Sequence, residues 1–119
     1  MSGSVRVVSR RKGGVAAAPG ETVIDGDRTN AALGNPFALH DHLDDAARAA
    51  CISKYNAMVT RDMVRRGPIF RAIDDLARRV AAGESIALRC WCAPRPCHLD
   101  RIAELITTEV QKMTEESIE

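Results

Sequence analysis

The stretch CWCAPRPCH, residues 90–98, holds three of the chain's four cysteines, its single tryptophan and one of its three histidines. Thiols and imidazole at this density support three kinds of chemistry. In the first, Cys97 is a nucleophile, because a helix N-terminus and a nearby imidazole, here His98, both lower a thiol's pKa. Asp100 would then orient His98 or a sugar hydroxyl. In the second, the segment is a metal knuckle. Zinc takes four tetrahedral ligands, usually as two pairs with two to four residues between the members. Cys90 and Cys92, followed by adjacent Cys97 and His98, depart from that spacing, and neighbouring side chains on a helix diverge by about 100°. A structural zinc would need three of these ligands and a fourth from Cys51, His40 or His42. In the third, the segment is a turn that shapes a ligand pocket and its thiols are packing, since cysteine is among the most buried residue types. Cys90, at a strand end, suits the packing role; Cys92 suits either. Trp91 either caps a site or covers the sheet edge.

The elements that would position this segment are legible on both sides. SIALR (85–89) reads as a short buried strand. From about Cys97 a helix follows, with Leu99, Ile102, Ile106, Val110 and Met113 on one face. Upstream, Asp44 is an N-cap for a helix whose apolar residues Ile52, Tyr55, Val59 and Met63 recur at helical spacing. Pro68 opens a second helix striped by Ile69, Ile73, Leu76 and Val80, and Gly83 suits its end. SVRVVS and TVIDG are strand candidates, with a Gly- and Pro-rich loop between them. Strands alternating with helices imply a small Rossmann-like layered α/β fold, with a short, mostly parallel sheet flanked by helices. Three strands can be named, fewer than such a sheet usually has, so Ala16–Ala18 or the region of Phe37 is expected to conceal another. The chain reads as a single α/β domain over residues 1–119. Its N-terminal strand and flexible loop lie within 1–21, and 114–119 form a frayed tail.

On such a fold, ligands collect beyond the carboxyl ends of the strands. A helix N-terminus there offers free N–H groups and about half a positive charge, which favours an anion such as phosphate. Arg95 would add to that charge.

Composition narrows the partners. Hydrophobic residues make up 45% of the 119-residue chain but aromatics only 3%, so the core is aliphatic. Seventeen basic and sixteen acidic side chains leave a net charge of +1, against duplex DNA or an anionic membrane as main partner. Local basic clusters such as RVVSRRK and RDMVRR read as solvated faces. No apolar run reaches the roughly twenty residues of a membrane span, and arginines interrupt any signal-peptide core. A cytoplasmic location is expected, where cysteines read as packing, metal or chemistry rather than as disulfides. The RDMVRRGPIF junction mixes charge with apolar residues, which suits a homodimer.

Two further stretches, GDRTNAALGNPF and RAACISKYNAMV, join LRCWCAPRPCHLD in a pattern over residues 22 to about 106. Together they resemble the family catalogued as domain of unknown function 4326, common in phages and bacteria. That family is similar in its strand ending near an arginine, its Leu-Gly-Asn-Pro-Phe loop, its helix with Arg and Tyr about seven apart, and its closing Cys-x-Cys-x-Pro-x-x-Cys-His segment. The resemblance places Arg28, Leu33, Gly34, Asn35, Pro36, Phe37, Arg48, Tyr55, Cys90, Cys92, Pro94, Cys97, His98 and Asp100 on motif positions. An Asp27-Arg28 pair stands where a glycine usually precedes the arginine. The family name implies no activity.

A physical reason links the two motifs. A Gly-Asn-Pro turn brings backbone close to whatever it faces, and Asn35 can donate to and accept from a base or ribose. If both loops lie at the carboxyl edge of the sheet they form two walls of one pocket. Phe37 and Trp91 would then stack on a flat ring, with Arg28, Arg48 or Arg95 meeting phosphate. Otherwise the turn is a rigid plug seated by Phe37. The leading expectation is a nucleotide or nucleotide-derived ligand without a resident cofactor, host-cytoplasmic if phage-encoded. The alternatives are an enzyme acting on the phosphate or N-glycosidic bond of such a ligand, through Cys97, His98 and Asp27 or Asp100, and a zinc-stabilised interaction module.

Overall fold

In a computed structural model, the β-branched stretch near the start forms strand β1 (Val5–Ser9), followed by β2 (Thr22–Asp25) and β3 (Ile86–Cys90). The structure describes residues 3–10, 15–26, 30–37, 44–91 and 97–118. The strands form a parallel sheet in the order β1-β3-β2, packed with helices α1 (Asp45–Arg65), α2 (Pro68–Ala81) and α3 (Leu99–Ile118). Among the described residues there are three strands and no fourth. Ala16 offers its carbonyl to the Arg6 side chain, and the Phe37 N–H bonds to Asn35 Oδ1, so neither segment is a rung of the sheet. No helix among the described residues is long and apolar enough to cross a membrane.

Paired residues in a parallel ladder share a face. The register therefore puts Val5, Val7, Ile24, Ile86, Leu88 and Cys90 on one side of the sheet. That side meets the stripes of α2 and α3, and Ile73, Ile86, Leu88, Ile102 and Ile106 are fully buried. Each such aliphatic side chain contributes about 1.5–3 kcal/mol by leaving water. The opposite side carries Arg6, Val8, Ala87, Arg89, Val23 and Asp25. There Arg6 bonds the Ala16 carbonyl and pairs with Glu21, which holds these two linker residues beside the sheet.

The helix signals act as expected. Asp44 accepts from the Ala47 N–H and caps α1, and Pro68 opens α2. Gly83, at φ 110°, follows its end. Gly67 cannot cap α2 with a side chain, so Asp62 of α1 reaches across and accepts from the Ile69 and Phe70 N–H groups. A Cβ on Gly67 would sit 2.5 Å from that carboxylate, so a side chain there would have to displace the cap. Helix α3 continues to Ile118, through the polar stretch where fraying is expected. Its last turns keep side-chain bonds such as Thr114 Oγ1 to the Val110 carbonyl.

Candidate functional site

The carboxyl ends of β2 and β3 lie side by side, because the Gly26 N–H bonds to the Arg89 carbonyl one residue past the ladder. From this rim the chain leaves β2 into the LGNPF loop and leaves β3 into the cysteine-rich bend.

The first loop is organised by Asn30, which the sequence reading passed over. Its Nδ2 donates to the Asp25 carbonyl, while its Oδ1 accepts from the Ala32 and Leu33 N–H groups. An asparagine opening a turn makes such bonds to the backbone after it, and that was the available signal. Gly34 closes the turn by donating to the Asn30 carbonyl. Asn35 accepts from the Phe37 N–H with its side-chain oxygen. Pro36 is exposed, and Phe37 is half-buried against the hydrophobic core.

The second loop ends at Cys97 and His98, just before α3. Both are buried, at 2% and 8% exposure. His98 Nε2 is 2.8 Å from the Gly26 carbonyl. A carbonyl only accepts, so Nε2 carries a proton, and in the neutral ring Nδ1 is left as an acceptor. That nitrogen is 3.6 Å from Cys97 Sγ. The imidazole also meets the Tyr55 ring edge-on, with centroids 4.8 Å apart. Tyr55, fully buried on α1, donates its hydroxyl to the Leu33 carbonyl at 2.7 Å. Burial pushes the Tyr55 hydroxyl well above the ordinary phenol range, so it stays a donor.

One unbroken path therefore runs from β2 through Gly26, His98 and Tyr55 to the LGNPF turn. The two motifs do share one rim. Gly26 permits the approach: a Cβ there would lie 2.5 Å from Leu99 Cδ2.

Two expectations change. Cys97 precedes α3 rather than opening it, so the divergence of helical neighbours does not apply and its sulfur lies beside the His98 ring. Asp100 does not bond His98; its carboxylate accepts from the Cys97 N–H while its own N–H donates to the Cys97 carbonyl. This closes the start of α3 with a built-in anion, which answers part of the charge a phosphate would seek. Cys90 packs in the core as expected, with its sulfur against that of Cys97. Arg48 is on α1, 3% exposed.

On the helix-free side of the same rim, Asp25 accepts bidentately from both Arg89 and Arg10. These guanidiniums, Arg89 foremost, hold its carboxyl down at about 2 against the opposing effect of burial. Arg10 also lies over the Trp91 ring, 5.8 Å from its centroid, and Trp91 is 52% exposed. Elsewhere, a shallow groove of about 590 Å³ runs between β1 and α3, but its carboxylates, Asp100 and Glu104, disfavour an anionic ligand.

Asp27, Arg28, Cys92 and Arg95 lie outside the described residues, as do His40 and His42. Among the described residues no three His, Cys, Asp or Glu side chains are grouped to hold a metal ion. A family model described as Domain of unknown function (DUF4326) matches residues 7–108. No curated protein and no solved structure matches the chain.

Proposed function

The chain belongs to the DUF4326 family, whose description carries no activity, and from the geometry of the rim we propose that it binds a nucleotide or nucleotide-derived small molecule. The site lies at the carboxyl edge of the sheet, between the LGNPF turn and the bend leading into α3. The observation that carries this reading is the joining of the two loops through Gly26, His98, Tyr55 and Leu33. Such a rim is where open α/β sheets take their ligands. Trp91 is exposed and offers a face for a flat ring. Positive charge comes from Arg10 and Arg89, which both meet the Asp25 carboxylate, and from Arg28 and Arg95 in the flanking sequence. Asn35 reads a base or ribose through its amide nitrogen.

Calorimetry with mono- and dinucleotides, cyclic nucleotides and NAD derivatives tests this. One member of the panel is expected to give saturable heat with one site per chain. A folded protein that gives no heat with any of them overturns the proposal.

A second reading, an enzyme acting on the phosphate or N-glycosidic bond of such a ligand, is favoured by one feature. His98 turns its unprotonated nitrogen toward the Cys97 thiol, the arrangement that activates a sulfur nucleophile. Product formed by the wild type and lost in Cys97→Ser and His98→Ala, with binding heat retained, would establish it.

A further inference from the structure

Cys90 Sγ, at the inward end of β3, and Cys97 Sγ, two residues before α3, are 2.8 Å apart. Non-bonded heavy atoms rest at roughly 3.5–4.0 Å, and bonded sulfurs at about 2.05 Å. Neither sulfur is in a disulfide, and both residues are 2% exposed. We propose that Cys90 and Cys97 are a peroxide-sensitive modification site, joined by a reversible disulfide that clasps the end of β3 to the start of α3. This rests on the sulfur geometry and is independent of the proposed ligand.

Cys97 is the sulfur that reacts first, because His98 Nδ1 lies 3.6 Å from it, on a ring held in place by the Gly26 carbonyl. The thiol proton passes to Nδ1 and the thiolate attacks one oxygen of hydrogen peroxide. The O–O bond breaks, the departing hydroxide takes the proton back from the imidazolium as water, and Cys97 becomes a sulfenic acid. Cys90 Sγ then attacks Cys97 Sγ. The S–S bond forms, the S–O bond breaks, and a second water leaves with the Cys90 proton. Two thiols and one peroxide give one disulfide and two waters; the sulfurs lose two electrons and the peroxide gains them. Burial of both sulfurs selects a water-sized oxidant over a bulky disulfide such as oxidised glutathione.

The test is peroxide titration of the reduced, metal-free full chain, followed by denaturation, thiol counting and peptide mapping. Free thiols are expected to fall from four to two, with the mass of two hydrogens lost, the crosslink at Cys90–Cys97, and full reversal by dithiothreitol. Oxidised glutathione at equal concentration is expected to leave all four thiols over the same time. In Cys90→Ser or Cys90→Ala, Cys97 is expected to stop at a sulfenic acid that dimedone captures, whereas Cys51→Ser changes nothing. The proposal is overturned if peroxide leaves four thiols, drives wild-type Cys97 on to the sulfinic acid, or crosslinks either residue to Cys51 or Cys92. It is equally overturned if the protein as purified carries one tightly bound zinc per chain that must be removed before these thiols react.

Discussion

Arg89 and Cys90 are consecutive, yet the pleat of β3 sends them to opposite sides of the sheet, and the two regions they enter could hardly differ more. Inward, Cys90 joins Cys97, His98, Tyr55 and the Leu33 carbonyl, in a cluster no more than 8% exposed and held by neutral hydrogen bonds and ring contacts. Outward, Arg89 joins Asp25 and Arg10 beside a half-exposed Trp91, in a cluster held by charge and open to solvent. Both sit at the same rim. The inner region fixes where the two loops go, and the outer one is what the proposed anionic or aromatic ligand would meet first. Substitutions inside should therefore cost stability, and substitutions outside should cost binding.

The largest effect is expected at Tyr55. Tyr55→Ala empties a fully buried site and should destabilise by about 3–5 kcal/mol. Tyr55→Phe keeps the ring but leaves the Leu33 carbonyl without its donor, at about 1–3 kcal/mol. Urea unfolding of both measures the split. A Tyr55→Phe variant as stable as wild type would show that the LGNPF turn does not depend on α1. Gly26→Ala comes next, because its new Cβ meets the buried Leu99 side chain. Overpacking of this kind costs about 1–3 kcal/mol, and the displaced strand end should weaken the bond from His98. An unchanged denaturation midpoint would place the tight contact between β2 and α3 in doubt.

Much of this inner region was legible in the sequence, for reasons particular to each residue. Asp44, Pro68 and Gly83 are local signals that act through the backbone next to them. The Ile69, Ile73, Leu76 and Val80 stripe is buried because period alone determines which face a helix offers the sheet. What could not be read depends on partners distant in sequence. Asp62 caps a helix to which it does not belong, and Asp25 gathers Arg89 from sixty-four residues away. Cys97 was expected on the helix, diverging from His98; one turn of chain before the helix was enough to bring sulfur and ring together. The fourth strand was expected from the usual size of such sheets, whereas among the described residues Ala16 is bound to the side chain of Arg6 instead of adding a rung.

The outer region titrates, which gives a smaller but cleaner effect. Asp25 has its carboxyl held at about 2 in the folded chain, below its ordinary 3.8. A group with a lowered folded pKa contributes stability that is complete above the unfolded value and is lost as pH falls through the folded one. Wild-type thermal stability should therefore drop between about pH 4 and pH 2, and Asp25→Asn should flatten that drop. Glu21, held at about 2 by Arg6, contributes in the same window to both proteins and cancels in the comparison. Parallel curves would mean that the Arg10–Asp25–Arg89 cluster is solvated rather than paired.

The smallest effect on stability, and the most informative for the contrast between the two sides, is expected at Trp91. The ring is half-exposed and its one aromatic contact among the described residues is the guanidinium of Arg10, so Trp91→Ala should change stability by less than about 0.5 kcal/mol. If the outer rim is where a base or nicotinamide ring stacks, the same substitution removes about 1–3 kcal/mol of binding, weakening the dissociation constant by roughly 5- to 150-fold. Calorimetry against the best ligand of the panel and thermal unfolding of the same sample read both quantities together. A variant that binds like wild type but unfolds several degrees lower would reverse the assignment: Trp91 would then be a cover for the sheet edge, and the ligand would have to enter from the side of the buried thiols.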